Sequence, residues 1–204
     1  MNPPTPTPPG SPGTRTPSAD LERAVLDAAH QVLVDHGTEG LSVREICRVA
    51  GVAPMGLYSR FGNKHGVVDA LFADGFVLLR SRLAATADEP IAGRLRLGCQ
   101  AYRQFAIDQP TLYSVMFDRA IAEFEPSAGS IEIAFAAFGE LLGRVRAAMD
   151  AGLLTPADPT DVAHQIWASM HGAVSLELRG IGFIDDPAAT FDRMVDALLA
   201  GLGN

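Results

Sequence analysis

The chain has 204 residues, of which 24 are acidic and 16 basic, and its formal net charge is −8. A molecule this acidic cannot attract nucleic acid or an anionic membrane by its overall charge, so either kind of binding requires a local basic patch. The 48% hydrophobic and 20% charged residues are typical of a globular protein and exclude disorder throughout the chain.

Cysteine usage and hydropathy narrow the setting further. Cys47 and Cys99 are far apart and lack a second Cys or His at ligand spacing, which excludes a disulfide framework and a zinc site. No stretch reaches the roughly 18 consecutive apolar residues of a membrane span, and the N-terminus lacks the apolar core of a signal peptide. We therefore expect a soluble cytoplasmic protein with no metal, no cofactor and no membrane contact.

The first segment of the chain is rich in proline. Residues 1–18 contain seven of the 14 prolines, and proline removes the backbone donors that helices and sheets need. We expect residues 1–19 to form a disordered or polyproline II arm, with the fold beginning near Asp20.

Three short helices are predicted next. Apolar residues recur at helical spacing as far as Gly37, which supplies a stop. Ser42 and Glu45 form a capping box for a second helix, which ends at Gly51, where a left-handed residue reverses the chain at little cost. Pro54 suits the first position of a third helix. Three helices within about 45 residues, the last two joined by a glycine turn, indicate a helix-turn-helix.

The remainder of the chain continues with helical periodicity. Asn63 can cap a fourth helix, and prolines separate later segments, which we place near 91–108, 110–124, 127–151, 159–180 and 187–202. No stretch alternates with period two for long enough to predict a strand. We expect an all-α fold of about nine helices, with a helix-turn-helix domain at 20–66 and a ligand-binding and dimerisation domain at 67–204.

Positive charge is concentrated at the predicted helix-turn-helix. Residues 1–66 hold six basic and six acidic side chains, so the whole net charge belongs to the C-terminal part. Within residues 42–66, four basic side chains stand against the single acid Glu45, a net charge of +3. Such a patch is either a solvated helix face or an electrostatic footprint for nucleic acid, and its position around the turn favours the second interpretation.

In such a motif the third helix enters the major groove by its N-terminal end, while the second helix crosses the phosphate backbone. At the entering tip, Met55 can reach thymine methyls and Gly56 permits close approach to base edges. The guanidinium of Arg44 matches the two acceptors of guanine. Tyr58 is either a phosphate donor or a core aromatic with an exposed hydroxyl. The residues that we expect to contact double-stranded DNA are Ser42, Val43, Arg44, Pro54, Met55, Gly56, Tyr58, Ser59, Arg60 and Lys64.

These residues resemble those of the tetracycline repressor (TetR) family of bacterial regulators. The resemblance rests on residues 40–46, 50–54 and 57–64 and on the following Val68 and Leu71. The turn glycine, the Leu-Tyr pair, the Phe and the Lys stand at the family's spacing. It implies an all-α homodimer whose first three helices bind a palindromic operator, and whose other helices form the dimer interface and a ligand pocket. Ala53 departs from the family, which often has Ser or Thr there, and Arg60 replaces the more frequent His.

A second resemblance lies downstream. Residues 102–106, 110–113, 116–117 and 167–172 are similar to the WHG-type C-terminal ligand domain, named for its Trp, His and Gly, of a subset of these regulators. The aromatic and sulfur-bearing side chains here are either ordinary core or the lining of an apolar cavity, to which Arg103 and Gln104 would add polar groups. His171 is either a hydrogen-bonded core histidine or a ligand contact. We expect a small, largely apolar effector to be bound by Phe76, Tyr102, Phe105, Tyr113, Met116, Phe117, Phe135, Phe138, Trp167 and His171.

The last two predicted helices each carry an apolar face. These faces pack either internally or against their copies in a second subunit. Because two half-sites one helical turn apart require a dimer, we hypothesise the second arrangement. The interface would then be formed by Ile166, Met170, Val174, Leu178, Phe191, Met194, Val195 and Leu198.

Catalysis has little support in the sequence. It contains no Gly-rich phosphate loop, no His/Cys cluster with metal spacing and no nucleophile elbow. We therefore predict a ligand-responsive transcriptional regulator, a repressor released from its operator by the effector, and not an enzyme. The alternative is a helical sensor or adaptor that binds a ligand or a protein partner without using DNA.

Overall fold

The computed structural model describes residues 18–118, 121 and 123–203, and the predicted proline-rich arm at 1–19 lies almost wholly outside them. The described residues form nine α-helices and no strand, which confirms the all-α prediction. The helices are α1 (Ser18–Gly40), α2 (Val43–Ala50), α3 (Pro54–Phe61), α4 (Lys64–Ala84), α5 (Ile91–Asp108), α6 (Pro110–Phe117), α7 (Ala128–Asp150), α8 (Pro159–Leu178) and α9 (Pro187–Leu202).

The first three helices pack on one another, and α1 and α3 also contact α4. Gly37, with φ 65°, interrupts α1 at the predicted stop. Ser42 caps α2 by accepting the Glu45 N–H at 3.2 Å, and Gly51 ends the helix with φ 65°. The Glu45 carboxylate accepts from Arg48 Nε at 2.9 Å. Within the described residues, only the serine half of the predicted capping box therefore forms.

The junction between α3 and α4 depends on a glycine. Asn63 caps α4 by accepting the Gly66 N–H at 3.0 Å. A Cβ on Gly66 would lie 1.8 Å from the carbonyl oxygen of Phe61, so only glycine lets the two helices meet this closely. From this junction α4 continues without a break and spans the predicted domain boundary after residue 66. One helix therefore belongs to both the N-terminal unit and the helical body.

The helical body is built around α4, which packs on α5, α6 and α7, while α8 packs on α5, α7 and α9. Its buried residues form one continuous core with those of the first three helices. None of the described helices combines the length and the apolar character that a membrane span needs. α6 ends at Phe117 and not at the predicted 124, because the chain bends at Asp118 and Glu123 has a left-handed backbone with φ 59°.

The apolar stripe of α8 faces the interior of its own subunit, which corrects the predicted dimer interface. A side chain that is buried within one chain has no surface left for a second copy. Leu178, Met194 and Leu198 are partly buried against the same core. The five predicted interface residues that are buried in the core are Ile166, Met170, Val174, Phe191 and Val195. Of the two arrangements that the sequence left open, these five residues adopt the internal one.

Candidate nucleic-acid interface and internal cavity

The N-terminal end of α3 protrudes from the three-helix unit. Met55 is 78% exposed and Tyr58 is 49% exposed, while Leu57 on the opposite face is fully buried. Tyr58 is therefore not the core aromatic of the alternative interpretation. Pro54 and Ser59 are exposed on the same short helix. α3 thus presents an apolar tip flanked by hydroxyl groups, the chemistry of thymine methyl and phosphate contacts.

The cations around this tip differ in how they are paired. Arg44 is exposed and forms no ion pair within the described part of the chain. Arg48, by contrast, pairs with Glu45 on the same helix. Arg60 donates from Nε to the Glu22 carboxylate of α1 at 2.7 Å. Glu22 lies outside residues 42–66, so the net charge of +3 counted there does not include it. Its pairing with Arg60 therefore reduces the positive charge of this surface.

Three predicted DNA contacts are less exposed than the tip. Val43 is partly buried against the core, and Lys64 is half-buried at the start of α4. A Cβ on Gly56 would lie 3.0 Å from Leu21 Cδ1, so the small size of this glycine serves the packing of α3 on α1. Ala53 precedes α3 without a side-chain cap, as its methyl group dictates. The exposed members of the predicted set are Ser42, Arg44, Pro54, Met55, Tyr58, Ser59 and Arg60.

A cavity of about 330 Å³ lies inside the helical body, among α4, α5, α6, α7 and α8. Its lining is almost wholly apolar. Phe135, although it lines the cavity, is 71% exposed and so lies where the cavity meets solvent. Such a space is at the small end of the range for small-molecule sites. The predicted ligand contacts that line it are Phe76, Tyr102, Met116, Phe117, Phe135, Phe138 and Trp167.

The other three predicted ligand contacts do not line this cavity. Phe105 is fully buried in the core. Tyr113 and His171 lie behind the wall formed by Tyr102, where the Tyr113 hydroxyl is 2.7 Å from His171 Nδ1 and 2.9 Å from the Tyr102 hydroxyl. The Tyr102 hydroxyl is also 3.2 Å from His171 Nδ1. His171 is half-buried, is hydrogen-bonded and does not line the cavity, so of the two alternatives the structure favours the hydrogen-bonded histidine over the ligand contact.

Burial keeps this trio of hydroxyls and imidazole uncharged. It raises the pKa of Tyr113 to about 12 and raises the pKa of Tyr102 as well. It also lowers the pKa of His171, with the Asp118 charge opposing this effect and Arg179 adding to it. At neutral pH, Tyr102 therefore presents a neutral polar group at the edge of the cavity.

Two polar residues that were predicted at the cavity lie elsewhere, and a third that does line it was not predicted. Arg103 pairs with Glu177 of α8, Nε to Oε2 at 2.9 Å, and Gln104 donates to Asp108 at 2.7 Å. Arg144 does line the cavity. The sequence carries a signal for it, because Arg144 follows the lining residues Phe135, Phe138 and Leu141 at three-residue steps along α7. A charge within an apolar helix face is the feature that would have revealed it.

The outer side of α8 and α9 exposes an apolar surface. On α8 it includes Leu176, which is 54% exposed. The loop that follows exposes Ile181 and Ile184, together with Phe183, whose side chain has no cover at all from its own subunit. A second cavity, lined by this loop and by the facing sides of α8 and α9, adjoins these residues.

Two family models match the chain. Residues 25–71 match the model of bacterial regulatory proteins of the tetR family, and residues 95–198, just over half of the chain, match the model of the tetracyclin repressor-like C-terminal domain. A curated relative, an HTH-type transcriptional regulator of Mycobacterium tuberculosis, is 22% identical over 217 residues, which cover 89% of this chain and 92% of the relative.

Solved structures show the same fold. A protein of unknown function from Rhodococcus sp. RHA1 is 24% identical, with a TM-score of 0.82, and the match covers 96% of this chain and 100% of that one. The fatty acid degradation regulator FadR from Bacillus halodurans is 18% identical, with a TM-score of 0.72, over 89% of this chain and 96% of that one. At these identities the likeness is one of architecture.

Proposed function

The chain belongs to the TetR family of helix-turn-helix transcriptional regulators, and we propose that it is a repressor which a small, largely apolar effector releases from a palindromic operator. Two subunits place their copies of α3 in successive major grooves, and α2 lies across the phosphate backbone. The effector occupies the cavity among α4 to α8.

The proposal that the chain reads DNA is supported most by the exposed tip of α3. It is supported as well by a guanidinium on α2 that has no ion-pair partner among the described residues. Met55, at the N-terminal end of α3, is 78% exposed, and an apolar side chain at the end of a helix that enters the major groove can contact thymine methyls. Arg44 is exposed and has no ion-pair partner among the described residues, so its five donors are open to a base edge or a phosphate. We assign base contacts to these two residues and phosphate contacts to Ser42, Tyr58, Ser59 and Arg60.

The release mechanism follows from the course of α4. This helix begins at the DNA-reading unit and then forms one wall of the cavity through Phe76, Leu79 and Leu83. An effector that fits one arrangement of α4 and α7 better than the other shifts the population toward that arrangement. Because α4 also contacts α1 and α3, the shift changes the spacing of the two reading helices in the dimer.

We place the dimer contact on the outer faces of α8 and α9, and not on their buried stripes. Ala168 and Gly172 are exposed on α8, in line with Leu176, and Ala197 and Gly201 are exposed on α9. The apolar loop around residue 183 continues this surface, and a second subunit would cover it. Sedimentation at micromolar concentration that shows only a 21.6 kDa species would contradict the dimer.

The experiment compares Arg44→Ala with Arg48→Ala on DNA from upstream of the protein's own gene. Loss of a bidentate base contact costs about 1–3 kcal/mol on the preferred sequence and little on random DNA. Arg48 is a matched control because its guanidinium is already paired with Glu45. Equal losses on specific and random DNA for Arg44→Ala would refute its role as a base reader.

A further inference from the structure

The cavity contains one permanent charge. Among the described residues that line it, Arg144 is the only one whose side chain is charged at every physiological pH. His164 also lines the cavity, but it is an exposed histidine. The rest of the lining is apolar, apart from the neutral groups of Tyr102 and Trp167.

The Arg144 guanidinium is held entirely by neutral acceptors. Nη1 donates to Thr86 Oγ1 at 2.8 Å and to the Arg94 carbonyl at 2.9 Å, and Nη2 donates to the Leu83 carbonyl at 2.6 Å. No carboxylate lies within ion-pair distance of it in the described part of the chain. Glu140, one turn earlier on α7, pairs instead with Arg80 at 3.1 Å.

Two hydrogens of this guanidinium remain free for another acceptor. Nη1 uses both of its hydrogens, Nη2 uses one, and Nε has no partner among the described residues. Arg80 Nε is the one described side-chain atom that is sealed in protein without a partner, so Arg144 Nε is not sealed. The Nε–H and the second hydrogen of Nη2 are therefore the donors that Arg144 has left for an added carboxylate.

The surroundings of Arg144 favour an added anion. Burial lowers the pKa of Arg144, and the Arg94 charge acts in the same direction, while Glu140 opposes them. Gly98 on α5 leaves room for the guanidinium, since a Cβ there would lie 3.3 Å from Nη1. A partly buried cation without a counterion gains more from a negative charge than a solvated one does.

The dimensions of the cavity limit the size of an anion that could pair with Arg144. Arg144 follows Phe135 by nine residues on α7, which separates them by roughly 13 Å along the helix axis. Trp167 and Phe138 form a T-shaped aromatic pair on the cavity wall, their ring centroids 6.1 Å apart. A volume of about 330 Å³ is at the small end of the range for small-molecule sites, so the molecule must be compact.

We propose that the cavity binds an amphipathic organic anion, a compact apolar body whose carboxylate pairs with the donors that Arg144 has left on Nε and Nη2. The apolar part lies against Trp167 and Phe138, toward the open end at Phe135. Only the identification of this anion as the effector rests on the proposed function. Binding of the anion to the cavity does not, because it is measured without DNA.

The test uses matched acid and alcohol pairs with the purified protein. Octanoate is compared with 1-octanol, and 4-phenylbutyrate with 4-phenylbutanol. The chain has a single tryptophan, Trp167, which lines the cavity, so its fluorescence reports binding there. We expect each acid to bind about tenfold or more tightly than its alcohol, the effect of one charge-assisted contact. Equal affinities for acid and alcohol, or no binding of either acid, would overturn the proposal.

Variants assign the preference to Arg144. Arg144→Gln should bind the acid and the alcohol equally, whereas Arg146→Gln, which removes an exposed charge two residues further along α7, should keep the preference. Arg144 also holds Leu83, Thr86 and Arg94, so the melting temperature of each variant is measured first. If Arg144→Gln does not fold, the wild-type comparison of acid and alcohol still decides the matter. A folded Arg144→Gln protein that keeps the preference contradicts the assignment.

The two proposals fail separately. If octanoate binds through Arg144 but leaves the protein–DNA complex intact, the anion site stands and the release mechanism is lost. If octanoate and 1-octanol release DNA equally well, the repressor proposal stands and the anion site is lost.

Discussion

The pairing of Arg60 with Glu22 shows what a count of charges along the chain misses. The two residues are 38 positions apart and belong to α1 and α3, so the acid lies outside the segment in which the basic residues cluster. Arg44 belongs to the same cluster of basic residues, but its guanidinium has no ion-pair partner within the described residues. Which cations are available to phosphate is therefore a property of helix packing, and the sequence alone predicted only their number.

We expect Glu22→Gln to strengthen binding to DNA of any sequence. The substitution frees the Arg60 guanidinium for a phosphate oxygen. The slope of log affinity against log salt concentration should therefore become steeper by about the amount expected for one additional phosphate contact. The measurement is a salt titration of affinity for random duplex DNA. Asp27→Asn, which removes an exposed charge on the same helix without freeing a cation, is the control. Equal effects of the two substitutions would show that Arg60 does not contact DNA.

His171 should make the fold less stable in mild acid. Burial lowers its pKa in the folded protein below that of the unfolded chain, so the unfolded chain binds the additional proton first. The free energy of unfolding that this group contributes is complete above the unfolded pKa of about 6.5 and is lost as the pH falls through it. Tyr102 and Tyr113, with raised pKa values, stay neutral throughout this range.

The measurement is urea unfolding of wild type and His171→Gln from about pH 7.5 to about pH 5.5. Wild type should lose stability more steeply than the variant over this range, because only wild type takes up the proton at position 171. Parallel curves would mean that the burial of His171 does not disfavour its charged form.

At the scale of helices, periodicity predicted the number and type of elements well. Local rules act within one or two turns, which explains why the caps of α2 and α4 at Ser42 and Asn63 were found. The early end of α6 was missed because no glycine or proline marks residues 118–124. The buried stripe of α8 was assigned to a second subunit because a period of 3.6 residues identifies an apolar face but not its partner.

One contact ties the cavity to the DNA-reading end. Asp69, on the second turn of α4, accepts from the backbone N–H and the hydroxyl of Ser127, each at 2.8 Å, and Ser127 caps α7. The same α7 carries Phe135, Phe138 and Arg144 along the cavity wall. This contact joins the start of α7 to α4 within two turns of the reading unit, and in the proposed release mechanism it would pass a displacement of α7 to α4.

Asp69→Ala should weaken the coupling between ligand and operator without weakening ligand binding. The substitution removes both acceptors for Ser127 but leaves the cavity lining intact. The measurement is operator affinity with and without a ligand that changes Trp167 fluorescence, since coupling is the ratio of the two affinities. Asp74→Ala, on the same helix, is the control. If both variants keep the wild-type ratio, the contact between Asp69 and Ser127 does not transmit the signal.

At the scale of the whole molecule, the net charge of −8 is unevenly distributed. Residues 67–204 hold all of the excess negative charge. The exposed tip of α3 and Arg44 lie within residues 1–66, whose acidic and basic side chains are equal in number. Mutual repulsion between an acidic body and DNA disfavours contact except at the reading unit. The net charge of −8 is therefore compatible with DNA binding through the N-terminal unit.

Selection from a random duplex library tests whether a dimer reads DNA with α2 and α3. Purified protein is incubated with the library at low salt, and the bound fraction is sequenced over several rounds. We predict an enriched motif of two inverted half-sites with centres about 10 base pairs apart or a multiple of this, and loss of the enrichment with Arg44→Ala. Bound DNA that remains as random as the input library would contradict sequence reading by α2 and α3 and favour a helical adaptor that does not use DNA.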